Sequence, residues 1–172
     1  MLIIRKILYP ISIIYFIIIS FRNILFNYKI LKSKKYTIPL IGIGNLSTGG
    51  TGKTPMAEYI FENFSEKFNL ALLSRGYKRS TSGYIKASSK SSPKSIGDEP
   101  YQIFKKFKKI QVSVDEKRVR GIDNLILENK NLKAIVLDDC FQHRSISLKL
   151  NILLTTYKAP FFNDCILPTG NL

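Results

Sequence analysis

The chain has 172 residues, 45% of them apolar, which suffices for one domain with a hydrophobic core and excludes a largely disordered protein. Its net charge of +15 predicts a polyanionic partner, namely nucleic acid, an anionic membrane surface or a phosphate-rich substrate; the alternative is a merely solvated surface. Two cysteines, Cys140 and Cys165, and one histidine, His143, exclude a disulfide framework and a histidine-rich metal site, so we expect any metal to be a hard ion held by oxygen atoms.

The first segment, residues 2–26, is strongly apolar, and basic residues follow it at 29–35, whereas no acidic residue precedes Glu58. Its uninterrupted apolar part, residues 7–21, is shorter than the roughly 20 residues that a helix needs to cross hydrocarbon. It also lacks the small residues of a signal-peptide cleavage site. We therefore expect residues 1–36 to form a membrane-associated helix in the cytoplasmic leaflet, whose basic flank binds anionic headgroups at about 1 kcal/mol per charge. The alternative is a helix buried in the domain.

A glycine-rich stretch follows a short apolar run at residues 39–46. Glycines let successive backbone N–H groups converge on phosphate oxygens, and the positive end of a following helix faces the same point. Lys53 would neutralise the outer phosphates, and the Thr54 hydroxyl would bind magnesium. The pattern predicts a P-loop, although Ser47 replaces its usual first glycine, and the alternative is a hairpin turn beside a chance Lys-Thr. The predicted phosphate-binding residues are Ser47, Thr48, Gly49, Gly50, Thr51, Gly52, Lys53 and Thr54.

Strand and helix patterns alternate along the rest of the chain. Short apolar runs predict strands at 69–73, 111–114, 134–137 and 151–155, and helical spacing predicts helices at 55–64, from 98 through 107, and at about 116–128. Residues 78–95 are rich in Ser, Lys and Gly and indicate a flexible excursion that could hold a short hairpin around residues 83–85. The alternation predicts an α/β fold, a mostly parallel sheet with helices on both faces and with ligands at the carboxyl ends of the strands.

Acidic residues stand where such strands and helices meet the predicted site. Asp138 ends an apolar strand and would emerge beside Thr54, where it could hold magnesium directly or through water. Asp139 has two interpretations, a direct catalytic role and a surface turn residue. Asp98 also has two, a base that orients the attacking oxygen and a helix N-cap worth about 1 kcal/mol.

Five motifs together resemble a known family. They are Gly-Asn-Leu-Ser-Thr-Gly-Gly-Thr-Gly-Lys-Thr-Pro (44–55), Ser-Arg-Gly-Tyr (74–77), Gly-Asp-Glu-Pro (97–100), Asp-Asp-Cys-Phe-Gln-His (138–143) and Leu-Pro-Thr-Gly-Asn-Leu (167–172). In this order, and over the whole chain, they resemble the tetraacyldisaccharide 4'-kinases of lipid A biosynthesis. The resemblance implies transfer of the ATP γ-phosphate to the 4'-hydroxyl of a lipid-linked disaccharide phosphate at the cytoplasmic face of the bacterial inner membrane. Residues 37–172 are then the P-loop kinase domain.

The resemblance also implies roles for individual residues. ATP lies on residues 47–54, and Mg²⁺ lies among Thr54, Glu99 and Asp138. Asp98 assists deprotonation of the acceptor hydroxyl. The implied catalytic residues are Asp98, Lys53 and Asp139; the implied substrate-binding residues are Arg75 and Tyr77; and the implied supporting residues are Gln142 and His143, of which His143 has a purely structural role as its alternative.

Two departures from the family pattern stand out. Cys140 replaces a glycine or other small residue, and we expect little damage because its side chain is small. Family members continue past the Leu-Pro-x-Gly-x-Leu motif into a second α/β domain, which carries a histidine thought to pair with the catalytic aspartate. We therefore expect the 172-residue chain alone to bind ATP weakly and to have little or no kinase activity.

Other functions compete with this interpretation. Deviant P-loop ATPases carry a lysine just before the paired glycines, where this chain has Thr48, which counts against them. A membrane-tethered nucleotide-binding relic without kinase activity is another alternative. A nucleic-acid motor would rest only on the lysine-rich run at 105–109, and no nucleic-acid module accompanies that run, so we expect no nucleic-acid partner.

Overall fold

The computed structural model describes residues 8–46, 50–141, 144–157 and 160. Several predicted site residues lie outside these ranges, namely Ser47, Thr48, Gly49, Gln142 and His143. The motif at 167–172 also lies outside them. The predictions for these residues stay predictions.

The described strands form one sheet whose spatial order is β3-β4-β2-β5-β1-β6. The strands are β1 (Leu40–Asn45), β2 (Leu70–Ser74), β3 (Ile85–Lys86), β4 (Gln111–Val114), β5 (Ala134–Leu137) and β6 (Leu150–Leu154). All neighbours pair in parallel except β3, which is antiparallel to β4. The predicted mostly parallel sheet is therefore confirmed, and the apolar runs located its parallel strands to within one residue.

Helices cover both faces of this sheet. The helices of the described ranges are α1 (Tyr9–Asn27), which does not join the core, α2 (Lys53–Phe64), α3 (Pro93–Ile96), α4 (Asp98–Lys106) and α5 (Arg118–Glu128). One apolar cluster joins α2 and α4 to the sheet through Phe61 and Ile103, which pack with Leu72 and Val136. A second cluster joins α5 to the other face, and its members include Leu73, Ile122, Leu125, Ile135 and Leu137. Residues of β5 alternate between the two clusters because successive side chains of a strand point to opposite faces.

The segment 78–95 is more ordered than its composition predicts. Its short strand β3 pairs with β4, with Ile85 opposite Val114 and Lys86 opposite Ser113, so the predicted local hairpin around residues 83–85 is wrong. Arg79 fixes the preceding turn, since its Nη2 donates to the Gly83 carbonyl oxygen at 2.8 Å. Composition predicted a turn here, but the partner strand lies far away in sequence, where local signals do not reach.

Helix α1 stands apart from this core. Ser12 is its only buried residue, so the alternative of a helix buried in the domain is wrong. The helix has 19 residues and is long and apolar enough to cross a membrane, although one such helix near an N-terminus is weak support for a span. In the basic flank after it, Lys34 is already paired with Asp123 at 2.7 Å.

Candidate functional site

Three strands bring the predicted site residues to one end of the sheet. Strand β5 lies between β1 and β2, with Leu137 opposite Gly42 on one side and Leu73 on the other. The chain then turns along the ends of its neighbours, because the Asp138 N–H donates to the Leu73 carbonyl and the Cys140 N–H donates to the Ile43 carbonyl. Asp138 therefore lies at the carboxyl end of the sheet, directly after the strand that pairs with β1, and its predicted place beside Thr54 stays a prediction.

Lys53 is the first residue of α2 and reaches back to this end of the sheet. The helix begins directly after Gly52, whose φ of 88° lies in the left-handed region that glycine adopts without strain. The Lys53 ammonium donates to Asn45 Oδ1 at 2.9 Å and lies 3.5 Å from Asp139 Oδ1. Its side chain is 19% exposed, so the charge sits in a recess that opens to solvent. Asn45 belongs to the glycine-rich motif, but the sequence assigned it no role.

Asp138 is a buried carboxylate with an incomplete set of partners. Ser74 Oγ donates to Oδ2 at 3.4 Å, whereas Oδ1 is buried and has no hydrogen-bond partner among the described residues. Burial, together with the nearby carboxylates of Glu99 and Asp139, raises the pKa of Asp138 to about 6, although the positive charges of Arg118 and Lys53 act in the opposite direction. A cation placed against Oδ1 would satisfy this oxygen and favour the ionised form.

Arg118 lies behind the two aspartates and was missed by the sequence analysis. It is 4% exposed, and its Nη2 donates to the Asp138 carbonyl oxygen and, at 3.5 Å, to that of Asp139. A signal for it existed, because Arg118 shares the inward face of α5 with Ile122 and Leu125 at the helical spacing of four and seven residues. Burial lowers the pKa of Arg118, and Arg75 lies close enough to lower it further.

The turn after β5 has an unusual backbone. Asp139 has a φ of 52°, which is uncommon for a residue other than glycine, although aspartate tolerates it better than most. This conformation leaves its side chain 59% exposed beside Lys53. At Phe141 the chain after this turn packs tightly against β1, because a Cβ at Gly44 would lie only 2.5 Å from Phe141 Cβ. Cys140 fits here fully buried, in agreement with the expectation for a small side chain.

The structure corrects the N-cap interpretation of Asp98. Gly97 occupies the N-cap position, and Asp98 is the first residue of α4. The reason is that Gly97 also ends α3, with its N–H donating to the Pro93 carbonyl, and its φ of 92° turns the chain between the two helices. A Cβ at Gly97 would lie 3.0 Å from the Tyr77 carbonyl oxygen, so this turn packs on the end of β2. Asp98 is exposed and serves no cap.

The remaining predicted residues lie around the same end of the sheet. Glu99, also in the first turn of α4, is near enough to Asp138 to raise the pKa of that carboxyl. Arg75 and Tyr77 follow β2, and both are exposed. Lys78 Nζ lies 5.3 Å from the centre of the Tyr77 ring. Arg75 and Tyr77 thus follow a strand at the same, carboxyl end of the sheet as Lys53 and Asp138.

The donor atoms at the site match a hard cation. Thr54 in the first turn of α2, Glu99 and Asp138 offer oxygen atoms only. Within the described ranges no three acidic, histidine or cysteine residues form a metal cluster. Magnesium usually binds one or two carboxylates and completes its shell with water and phosphate oxygens, so this sparse donor set fits it. Thr51 Oγ1 is a second buried oxygen without a partner among the described residues, in the loop just before α2.

Three features together define an α/β protein of the P-loop nucleotide-binding class. They are a mostly parallel sheet, a glycine-rich segment before a helix that starts with Lys-Thr, and an aspartate directly after the adjacent strand. The comparison with known families then identifies the family within this class. The chain belongs to the tetraacyldisaccharide-1-P 4'-kinase family, whose model matches residues 4–172.

Individual relatives agree with this assignment. The chain is 48% identical over 168 residues to a tetraacyldisaccharide 4'-kinase of Flavobacterium johnsoniae, covering 98% of this chain and 49% of that protein. It is 50% identical to the enzyme of Parabacteroides distasonis, covering 98% and 46%. A crystal structure of the "apo" form of LpxK from Aquifex aeolicus, in complex with ATP, superimposes with a TM-score of 0.88 at 40% identity, covering 98% of this chain and 54% of that one. The chain thus spans about half the length of the curated relatives that it matches.

Proposed function

We propose that the protein transfers the γ-phosphate of ATP to the 4'-hydroxyl of a tetraacyldisaccharide 1-phosphate in lipid A biosynthesis. The observation that carries this proposal is the convergence of Lys53, Asp138 and Asp139 at the carboxyl ends of β1 and β5 in a chain of this kinase family. ATP as the phosphate donor is supported by the ATP complex of the Aquifex aeolicus relative.

Lys53 and the loop before α2 would hold the nucleotide. Backbone N–H groups at residues 47–54 and the positive end of α2 attract the phosphates, and the Lys53 ammonium adds a charge against the transferred group. The hydrogen bond to Asn45 and the ion pair with Asp139 aim this ammonium in advance. Preorganised charge of this kind is usually the largest contribution to catalysis of phosphoryl transfer.

Thr54, Glu99 and Asp138 would hold Mg²⁺, which neutralises charge on the phosphate oxygens when it is bound. The Oδ1 of Asp138, for which the described part of the chain provides no partner, is the atom best suited to this role, because it is already buried and desolvated. Arg118 fixes the backbone at Asp138 from behind, so that the carboxylate keeps one position.

Asp98 would accept the proton of the acceptor hydroxyl. Its carboxylate is exposed in the first turn of α4, it caps no helix, and the turn that carries it packs on the residues after β2. Arg75 and Tyr77 lie in that neighbouring turn and would contact the disaccharide phosphate headgroup. Their exposure leaves them available to an acceptor that enters from outside.

The apolar helix α1 would keep the protein at the cytoplasmic face of the inner membrane, where such an acceptor resides. Its large exposed side chains include Ile13, Ile14, Phe16, Ile17 and Ile18, which would be costly to leave in water. Lys29, Lys32 and Lys35 of the basic flank could contact anionic headgroups, whereas Lys34 is already paired with Asp123.

The basic run at 105–109, by contrast, is partly neutralised within the molecule. Lys106 pairs with Glu58 and with Glu62 of α2, both at 2.7 Å, and Lys109 pairs with Glu66. These contacts support a role in joining α4 to α2 rather than in binding nucleic acid.

The test is a transfer assay with γ-labelled ATP and tetraacyldisaccharide 1-phosphate, using the protein as its gene encodes it. We expect label in the lipid product, and we expect Asp98→Asn to lower kcat at least about a thousandfold with little change in ATP affinity. The matched control is Asp123→Asn, far from the site, for which we expect no such loss. ATP binding by wild type without any transfer to the lipid would overturn the proposal and favour a nucleotide-binding module.

A further inference from the structure

Arg144 connects the apolar helix to the segment that follows the two aspartates. Its Nη1 donates to the Asn23 carbonyl oxygen at 3.2 Å and to Asn23 Oδ1 at 3.1 Å, and its Nη2 donates to Asn27 Oδ1 at 2.7 Å. Its guanidinium also lies 5.3 Å from the centre of the Phe26 ring. One side chain therefore holds the last turn of α1 through hydrogen bonds and an aromatic contact at once.

The residues around Arg144 are tied to the chain leaving α1. Ser33 Oγ donates to the Arg144 carbonyl oxygen at 2.5 Å. The Lys34 N–H donates to the Ser145 carbonyl, and the Ser147 N–H donates back to the Lys34 carbonyl, both at 2.9 Å. The end of α1 and its basic flank thus form one unit with residues 144–147.

The same stretch of chain begins at the candidate site. Asp138 and Asp139 precede Arg144 by only a few residues, and the Cys140 N–H donates to the Ile43 carbonyl of β1 at 3.1 Å. Residues 138 and 140 are therefore fixed to the sheet, and residues 144–147 are fixed to the end of α1 and its basic flank.

We propose that Arg144 is a positioning residue that sets how the membrane-docked helix presents the lipid acceptor to the phosphate site. The proposal rests on the proposed function, in which the acceptor stays in a lipid surface while ATP arrives from water. An acceptor held in a surface can reach the transferred phosphate only if that surface lies at a fixed height and tilt relative to Lys53 and Asp138. Arg144 supplies this fixed relation, because it joins α1 to the segment that carries the aspartates.

The experiment compares two forms of the acceptor, one in phospholipid vesicles and one a short-chain, water-soluble analogue. We expect Arg144→Ala to lower kcat/KM for the acceptor in vesicles at least tenfold. We expect its KM for ATP and its activity on the soluble analogue to stay within twofold of wild type, and its flotation with vesicles to be unchanged. Arg144→Lys keeps the charge but not the paired donors, so its kcat/KM for the acceptor in vesicles should lie between those of wild type and Arg144→Ala.

Partner variants sharpen the test. Asn23→Ala with Asn27→Ala should produce the same vesicle-specific loss, and adding Arg144→Ala should lower the rate no further, as for residues in one contact. Lys130→Ala removes an equal charge from an exposed position and should behave as wild type. Equal losses on both acceptors, or no loss on vesicles, would overturn the proposal.

Amide hydrogen exchange tests the connection without turnover. Binding of wild type to empty vesicles should slow exchange at residues 138–141 and 144–147, and Arg144→Ala should abolish this effect while still binding. Unchanged slowing in the variant would overturn the proposal. Failure of wild type to phosphorylate either acceptor would refute the proposed function alone, because the exchange result still decides the role of Arg144.

Discussion

Lys53 and Asp139 form an ion pair at the carboxyl end of the sheet, with 3.5 Å between the ammonium nitrogen and Oδ1. Lys53 is the first residue of α2, and Asp139 lies in a turn with positive φ after β5. In the free protein Asp139 is thus the ion-pair partner of the ammonium group that would bind a phosphate. The pair keeps the lysine aimed at the recess rather than extended into solvent.

Asp139→Asn tests whether the carboxylate charge holds the Lys53 ammonium in position. Asparagine tolerates a positive φ about as well as aspartate, so we expect a change in the free energy of unfolding below about 0.5 kcal/mol. Without the carboxylate the Lys53 ammonium loses its ion pair with this turn, and we expect kcat to fall at least about tenfold with a smaller change in KM for ATP. Steady-state kinetics and urea unfolding measure the two effects. An unchanged kcat would assign Asp139 to the turn alone.

Asp138→Asn should gain stability and lose activity. Among the described residues the buried carboxylate has one weak side-chain hydrogen bond and its Oδ1 has no partner, whereas a neutral amide of the same shape costs less to bury. In the presence of a metal chelator we expect the free energy of unfolding of Asp138→Asn to exceed that of wild type by about 1 kcal/mol or more. We expect kcat with Mg²⁺ to fall about a hundredfold or more, because the metal loses a charged ligand.

The control for this pair of measurements is Asp123→Asn. Asp123 is a half-exposed partner of Lys34, so its loss should change the free energy of unfolding by less than about 1 kcal/mol. A fall in stability for Asp138→Asn that exceeds that of the control would contradict the view that Asp138 is kept for function at a cost in stability.

Arg118→Met should destabilise the protein strongly. It removes a buried charged donor from the carbonyl oxygens of Asp138 and Asp139. We expect the free energy of unfolding to drop by about 1.5 to 3 kcal/mol, as for a lost hydrogen bond to a buried charged group. Lys117→Met, at the exposed neighbouring position, should cost less than about 0.5 kcal/mol. Similar values for the two variants in denaturant unfolding would show that Arg118 does not support the site.

The parallel sheet was predictable because its signals are local. The run Ala-Ile-Val-Leu at 134–137 is short and contains β-branched residues, which is typical of a buried strand, and four apolar runs separated by helical patterns allow few arrangements. The position of Asp138 beside the glycine-rich loop follows from the same rule. The antiparallel pairing of β3 with β4 was not predictable, because it depends on a turn held by distant residues such as Glu116.

Site residues that belong to recognisable motifs were predictable, whereas residues whose role depends on packing were not. Lys53 and Asp138 stand in recognisable patterns. Asp98 was assigned a possible cap because aspartate favours that position, but Gly97 takes it in order to turn between two helices. The helical spacing of Arg118 with Ile122 and Leu125 indicates the inward face, but its contact with the carbonyls of Asp138 and Asp139 depends on the fold.

Glu116 predicts how stability depends on pH. Its carboxylate accepts hydrogen bonds from its own N–H and from that of Gly83, and it pairs with Arg79 and Arg120, which together lower its pKa from 4.5 to about 2. Because the folded value lies below the unfolded one, the stabilisation is complete above about pH 4.5 and is lost as the pH falls towards 2. The difference in unfolding free energy between wild type and Glu116→Gln should therefore shrink over this range. A difference that stays constant down to pH 2 would contradict the assignment.

The most direct measurement of the central claim is calorimetric titration of the protein with Mg-ATP, for wild type and Lys53→Ala. Lys130→Ala, an exposed lysine far from the site, is the matched control. If the recess formed by Lys53, Asp138 and Asp139 binds the nucleotide phosphates, wild type and the control should bind alike, and Lys53→Ala should bind at least about tenfold more weakly. Equal affinity in all three proteins would contradict the account.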